Sequence, residues 1–394
     1  MCEDPNPPKA YASPAVPAAD AIGRCYWPEL DVVRFLAFLL VFAHHSLPLF
    51  PAPGTANLPD GIAHVLYNVA WAARFGLSLF FTLSAFLISE LLLRERQAIG
   101  QIHTRQFYIR RILRIWPLYF AGLAIGLCFV TFPVPQHDEI VWTVWAVFLL
   151  ANWATIFLTV ANNPMGILWS ISVEEQFYLF IPWAIKYCSR RLLAAVCVAL
   201  ILVANAWLFC LGRSQIQDKL VWYNSFVQFE CFAAGILLCL CLRGQSPRVS
   251  IPLRLVTLAS ASACWYIAVA VFDAHIVGET AVGGFNLIAG YALATLGCCL
   301  ILFAFLGVSH KLLPGWAIYF GRISYGLYVF HVLALDIVVH IFPHHVAVAS
   351  GAMLFKGAAA LGITMLLASL SYRFFESPFL RLKKRFEIVK SRPV

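Results

Sequence analysis

Residues 32–50 read VVRFLAFLLVFAHHSLPLF, an apolar run interrupted by Arg34, His44 and His45. Its length is close to the ~20 residues that cross a bilayer as a helix. Ten further runs of this kind follow, near 75–93, 116–132, 140–160, 168–187, 192–211, 226–242, 253–272, 285–307, 316–342 and 351–375. The pattern implies an all-α polytopic membrane helix bundle. Composition agrees: of 394 residues, 61% are hydrophobic and 12% charged, whereas a soluble domain carries about 25% charged residues.

The formal net charge is +9. In a soluble protein that balance would point to nucleic acid. Here the basic residues cluster in short loops: after 93, after 185, after 242, near Lys311 and at the C-terminus. The segments 51–73, 133–139, 273–284 and 343–350 read as loops with few Lys or Arg. The positive-inside rule therefore makes the basic set cytoplasmic, with no nucleic-acid partner expected. Between the basic loops at 94–114 and 186–191 only an even number of crossings fits, yet three apolar runs lie there. The expectation is about ten transmembrane helices plus one re-entrant element among 116–187. A half-inserted helix survives only if buried in protein or lining a cavity. A plain eleven-span bundle is the alternative.

Residues 1–29 are rich in Pro and Ala and lack a basic start followed by an apolar core. They read as a disordered cytoplasmic tail rather than a signal peptide. Residues 30–378 form the membrane domain, and 379–394 a basic cytoplasmic tail. No internal repeat is visible, which weakens a transporter reading. The twelve cysteines include no CxxC pair and lie mostly in apolar runs. They read as small apolar side chains, and no metal site is expected.

Ionisable residues inside spans are costly and are functional hypotheses by default. Arg34 and His45 are eleven residues apart, which places them within ~20° of one helix face and ~16 Å apart along the axis. Neutral imidazole suits general-base work near pH 7. The alternative is a structural pair bonded to neighbouring helices. A second cluster runs from Phe107 to Pro117 and contains Arg110, Arg111 and Arg114. Arg110 and Arg114 share a face. Guanidinium groups hold phosphates through paired hydrogen bonds; the alternative is interfacial anchoring, and spacing alone favours anchoring. A third, Leu168 to Tyr178, contains Trp169, Glu174 and Glu175. One carboxylate is suited to orient His45 or neutralise an arginine, and Trp169 to stack on a sugar or simply to belt the membrane interface. The plainer account is a helix N-terminus that favours acids. A fourth, Ile323 to His331, puts Tyr328 and His331 on one face, for substrate binding or simple packing.

In this order the clusters resemble the acyltransferase-3 family, which includes bacterial O-antigen O-acetyltransferases. The family's L-D-x-x-R with a histidine eleven residues on is matched by Leu30, Asp31, Arg34 and His45. Phe80 to Ile88 resembles its F-F-x-L-S-G-F-L-I, with Ala85 replacing glycine. The arginine motif, the W-S-x-x-V-E-E-Q-F-Y motif at Trp169 to Tyr178, the S-Y-x-L-Y-x-x-H motif at Ser324 to His331 and the closing E-x-P at Glu376 and Pro378 are also met. Ser78 stands where an acidic residue is common. No esterase-like extracytoplasmic domain, of the kind some members carry, is expected after the last span.

The resemblance implies transfer of an acyl group, commonly acetyl, from cytoplasmic acyl-CoA to a hydroxyl of a carbohydrate or other envelope or exported acceptor. It implies His45 as general base or acyl-accepting residue. Arg34, Arg110, Arg111 and Arg114 would hold the donor phosphates, and the arginine cluster moves from anchoring to donor binding. Glu174 is grouped with the chemistry; Trp169, Glu175, Tyr328 and His331 are grouped with substrate binding. The implied location is a bacterial-type plasma membrane. The competing reading is a transporter or flippase using Arg34, His45 and Glu230.

Overall fold

The computed structural model describes residues 26–46, 60–130, 137–158, 164–212, 217–274, 282–342 and 350–389. Their helices are α1 (Pro28–Ser46), α2 (Asp60–Ala72), α3 (Gly76–Ile99), α4 (Thr104–Val130), α5 (His137–Val147), α6 (Ala151–Phe157), α7 (Trp169–Tyr187), α8 (Arg190–Leu211), α9 (Gln217–Trp222), α10 (Ser225–Leu242), α11 (Ile251–Ala270), α12 (Gly284–Phe305), α13 (Gly315–Arg322), α14 (Ser324–Ile341), α15 (Ser350–Leu370) and α16 (Ser377–Lys383). Local chemistry sets several ends. Pro28, Glu29 and Asp31 occupy the first turn of α1, where proline and negative charge suit the open N–H groups. Gly100, at φ 72°, caps α3 with left-handed backbone. The Ser189 and Asn224 side chains cap α8 and α10.

Eight described helical segments are long and apolar enough to cross a membrane. The 19-residue helices α1 and α7 are also long enough, but α1 holds Glu29, Asp31 and Arg34, and α7 holds Glu174, Glu175 and Lys186. The polytopic helical bundle expected from the sequence is the fold. Its packing uses small residues at close crossings: a side chain at Gly235 on α10 would run into the Thr82 carbonyl of α3.

The basic segments gather at one end of this bundle. Arg96, near the end of α3, donates to the carbonyls of Ile185 (2.7 Å) and Cys188 (2.7 Å), closing the end of α7. Arg110, near the start of α4, bonds to the Phe386 carbonyl (2.8 Å). Arg254, near the start of α11, donates to Ala304 and Leu306 at the end of α12. At the other end His45 closes α1, and His44 lies 3.3 Å from the Ala70 carbonyl at the end of α2.

Of the three runs between the basic loops, the one at 140–160 is broken. It breaks into α5 and α6, of 11 and 7 residues. At ~1.5 Å per residue neither reaches across a ~30 Å hydrocarbon core. Leu149 sits at the break in left-handed backbone, φ 60°. The groups freed by the break are satisfied by side chains of the bundle. Tyr119 donates to the Ala146 carbonyl (2.7 Å), and Gln176 to the Leu149 carbonyl (3.1 Å). The Ala151 N–H donates to Ser172 (3.3 Å). Gln176 also bonds to Asn152 (2.9 Å) and Ser225 (2.5 Å). Non-helical backbone at membrane depth needs such partners. Gln176→Leu is expected to destabilise the protein by about 1–3 kcal/mol, the cost of a stranded buried polar group, read as a lower melting temperature in detergent.

Three boundaries differ from the sequence reading. The segment 51–73 is helical over α2, which continues through a 3-10 turn at Ala73–Phe75 into α3; residues 51–59 lie outside the described set. The run at 316–342 is split at Ile323 into α13 and α14. Order begins before residue 30: α1 starts at Pro28, and Glu29 is buried, accepting the Gly307 N–H at 3.1 Å. Residues 1–25 lie outside the described residues. After 378, Leu380, Lys383, Ile388 and Val389 are buried, so this stretch packs on the bundle. Between α15 and α16 the chain makes a π-helical turn, Ser371–Glu376. That turn brings Glu376 beside Gly326 of α14.

Candidate active site

At the basic end, Arg34 is held from its own helix. Its Nη1 lies 2.8 Å from Asp31 Oδ1, three residues earlier. Asp31 is fully buried, and its other oxygen accepts from the Tyr26 hydroxyl at 2.9 Å. Burial and the Asp31 carboxylate push the Tyr26 phenol above its usual range, so it stays a donor. The arginine is thereby fixed in place by a buried acid.

Arg34 lines two adjoining cavities. One, of about 100 Å³, is walled by Arg34, Phe80, Ser84, Arg111, Arg114, Ser170, Glu174 and Tyr328. The other, of about 80 Å³, runs towards Tyr26, Trp27 and Lys383. Arg34, Ser84, Arg111 and Arg114 border both. Arg34 has its acid. Arg111 and Arg114 make no ion pair or hydrogen bond among the described residues, and the Arg111 Nε is buried. The Arg111 guanidinium instead lies over the rings of Phe107 (5.5 Å) and Tyr178 (5.3 Å). Two guanidinium groups without an ion pair among the described residues, at a joint between cavities, suit a polyanion. Arg110 is set apart. It pairs with Glu95 at 3.3 Å and bonds to Phe386, and it borders neither cavity.

The acidic motif on α7 divides in the same way. Glu174 faces the cavity and accepts from Ser84 (2.6 Å) and from the Tyr178 hydroxyl. Glu175 points to α4 and accepts from Trp116 Nε1 at 3.0 Å. Trp169 is buried edge-on against Trp222 and Tyr223, with ring centroids 6.2 and 4.7 Å away. Tyr328 borders the cavity, and its hydroxyl lies 2.6 Å from Ser170.

One helical turn beyond Tyr328 the cavity wall gives way to a histidine pair. His331 is fully buried, with Nδ1 2.5 Å from the Tyr328 carbonyl. A carbonyl only accepts, so this nitrogen carries the proton and Nε2 is left as an acceptor. His331 Nε2 lies 3.1 Å from His45 Nδ1, which is also 3.0 Å from the Val41 carbonyl. Both neighbours accept, so His45 Nδ1 donates and His45 Nε2 keeps its lone pair. That nitrogen makes no hydrogen bond among the described residues, and His45 is exposed. The arrangement is a base oriented by a second group, itself fixed by backbone. Glu174 and Glu175, one of which the sequence offered as an acid to orient His45 or neutralise an arginine, bond to neither histidine. Phe38 lies between Arg34 and His45 on α1 and packs edge-on against His331 at 6.2 Å.

A family model described as an acyltransferase domain matches residues 27–373, most of the chain. The chain belongs to this acyltransferase family. The resemblance carried by the sequence motifs is thereby shown. Among curated relatives, a peptidoglycan O-acetyltransferase of Listeria monocytogenes, OatA, is 27% identical over 221 residues, covering 51% of this chain and 32% of its own. The O-acetyltransferase OatA of Staphylococcus aureus is 24% identical over 381 residues, covering 90% of this chain and 57% of its own. The chain thus spans from about a third to little over half the length of these relatives. No solved structure matches.

Sequence reasoning missed several residues in and around this site. Ser84 and Tyr178 both bond to Glu174. Tyr178 carried a readable signal, standing four residues after Glu174 on one helix face. Lys383 borders the outer cavity and pairs with Glu387 at 3.2 Å. Arg74 is buried where α2 meets α3, 3.8 Å from the Trp222 ring centroid and 3.7 Å from Asp218. By sequence it stands immediately before the apolar run at 75–93.

Proposed function

We propose that this chain is a membrane O-acyltransferase moving an acyl group, acetyl in the first instance, from acyl-CoA to a hydroxyl of a carbohydrate or other envelope acceptor. The observation that carries this reading is the placement of parts. Cavities walled by arginine open at the basic end, and a base with a free nitrogen stands at the opposite end of α1. Family membership and the names of the relatives support the same chemistry. The peptidoglycan named for one relative makes a glycan the first acceptor to try.

In this proposal Arg111 and Arg114 hold the donor's phosphates, and Arg34, fixed by Asp31, orients them. The basic end then faces the cytoplasm of a bacterial-type plasma membrane, with both ends of the described chain on that side. His45 Nε2 takes the proton of the acceptor hydroxyl as its oxygen attacks the thioester carbon. The C–S bond breaks, an ester forms, and the thiolate leaves and takes up a proton. His331 holds the imidazole in the required tautomer and shares in stabilising its protonated form.

The test is mass spectrometry of envelope glycans from cells with and without the chain, paired with proteoliposomes given acetyl-labelled CoA. Alkali-labile acetyl esters that need both chain and donor are expected. No change in the glycans, together with substrate movement independent of CoA, would replace this reading with transport.

A further inference from the structure

A third cavity, of about 210 Å³, lies at the basic end between α3, α8 and α10. Arg94, Arg190 and Arg243 border it, with Glu90, Cys239 and Gly244. It shares no residue with the two cavities of the candidate active site. Glu90 is buried and committed: its Oε1 pairs with Arg94 at 2.6 Å, and its Oε2 accepts from the Cys239 thiol at 3.3 Å. Arg94 is held further by the Gly244 carbonyl at 3.3 Å. One carboxylate therefore faces three guanidinium groups, and two positive charges remain.

Those two charges belong to Arg190 and Arg243, which are exposed and make no ion pair among the described residues. Arg190 is the first residue of α8, whose first turn holds no acid. The positive end of a 22-residue helix thus adds to the arginine that opens it. A cation there is unfavourable unless an anion joins it. Arg243 ends α10 in left-handed backbone, φ 49°, a conformation better suited to Gly or Asn. The bound Glu90–Arg94 pair forms the floor, and the two unneutralised arginines form the rim.

The geometry points to a second anion site in this cavity, separate from the active site, that takes a phosphate group. Two residual positive charges, fork-shaped donors and a helix N-terminus match the charge and oxygen array of a phosphate. Two sources share that chemistry: the headgroup of an anionic phospholipid at the bilayer surface, and a water-soluble phosphate compound. The inference does not rest on the proposed acyl transfer.

The test variant is Arg190→Gln combined with Arg243→Asn. Asparagine suits the left-handed position, so the end of α10 is kept. Pyrophosphate is titrated calorimetrically into the full chain in neutral detergent. Phosphatidylglycerol retention is measured by native mass spectrometry from nanodiscs of phosphatidylglycerol and phosphatidylcholine. The double variant is expected to bind the preferred probe about tenfold or more weakly than wild type, as loss of charge-assisted bonds requires. Pyrophosphate binding without lipid retention would support a soluble phosphate ligand; retained lipid that pyrophosphate does not displace would support a headgroup. Equal binding of both probes by wild type and variant would overturn the site, as would no binding by wild type. Loss in Arg111→Ala of the binding that depends on Arg190 and Arg243 would also overturn it, since that anion would then sit in the active-site cavity.

Discussion

His45→Gln is expected to lower acyl transfer by at least about 10²–10⁴-fold, the contribution of a positioned general base, while the protein still inserts and expresses. His45 closes α1 at an exposed position, so its loss leaves the buried packing of Leu30, Val33, Ala37 and Phe38 untouched. Glutamine keeps a polar side chain but cannot take the proton. His331→Leu tests the pairing. It removes one of the two acceptors of His45 Nδ1–H and leaves the Val41 carbonyl alone to hold the tautomer. Turnover should fall by less than in His45→Gln. The double variant should lose no more than His45→Gln alone, because groups acting as a unit are not additive. Initial rates with acetyl-CoA and an acceptor glycan in proteoliposomes measure all three. Full activity in His45→Gln would end the mechanism; a double variant far below either single one would separate the two histidines.

Arg111→Ala is expected to weaken acyl-CoA binding by roughly 10- to 100-fold, since hydrogen bonds to charged groups are worth about 1.5–3 kcal/mol and about 1.4 kcal/mol is tenfold. The loss should shrink as salt is raised, and the acceptor's KM should barely move. Arg111 also packs on Phe107 and Tyr178, so alanine removes contact as well as charge. Arg111→Lys separates the two by keeping a cation without the planar fork. Arg114→Ala should resemble Arg111→Ala in direction. Arg110→Ala should act otherwise, lowering thermal stability through Glu95 and Phe386 with little change in donor affinity. Calorimetric titration of CoA into each variant decides this. Equal affinity in wild type and Arg111→Ala would remove the donor assignment.

The bundle was legible because apolar runs of span length need no partner to be recognised. Loop charge then exposed a parity problem, and the run at 140–160 is the one of the three that breaks into two short helices. The stripe joining Arg34 to His45 was also legible, since both lie on one helix. Contacts between helices were not. His331 and His45 are 286 residues apart, and no local period links them. The arginine motif shows the same limit within a single helix. Arg110 and Arg114 share a face by spacing, yet the chain that returns at Phe386 and the acid at Glu95 claim the first. Arg111, about 100° further round the helix than Arg110, meets the cavity instead. Glu174 and Glu175 divide for the same reason, one towards Ser84 and the other towards Trp116.

The broken helix also constrains how this protein is made. A chain leaves the ribosome from its N-terminus onward, so α5 and α6 emerge before Gln176 and well before Ser225. Until those side chains arrive, the Leu149 carbonyl and the Ala151 N–H lack the partners they have in the finished fold, and only water at the bilayer surface can serve them. Full pairing of the break therefore comes only once α7 and α10 are in place.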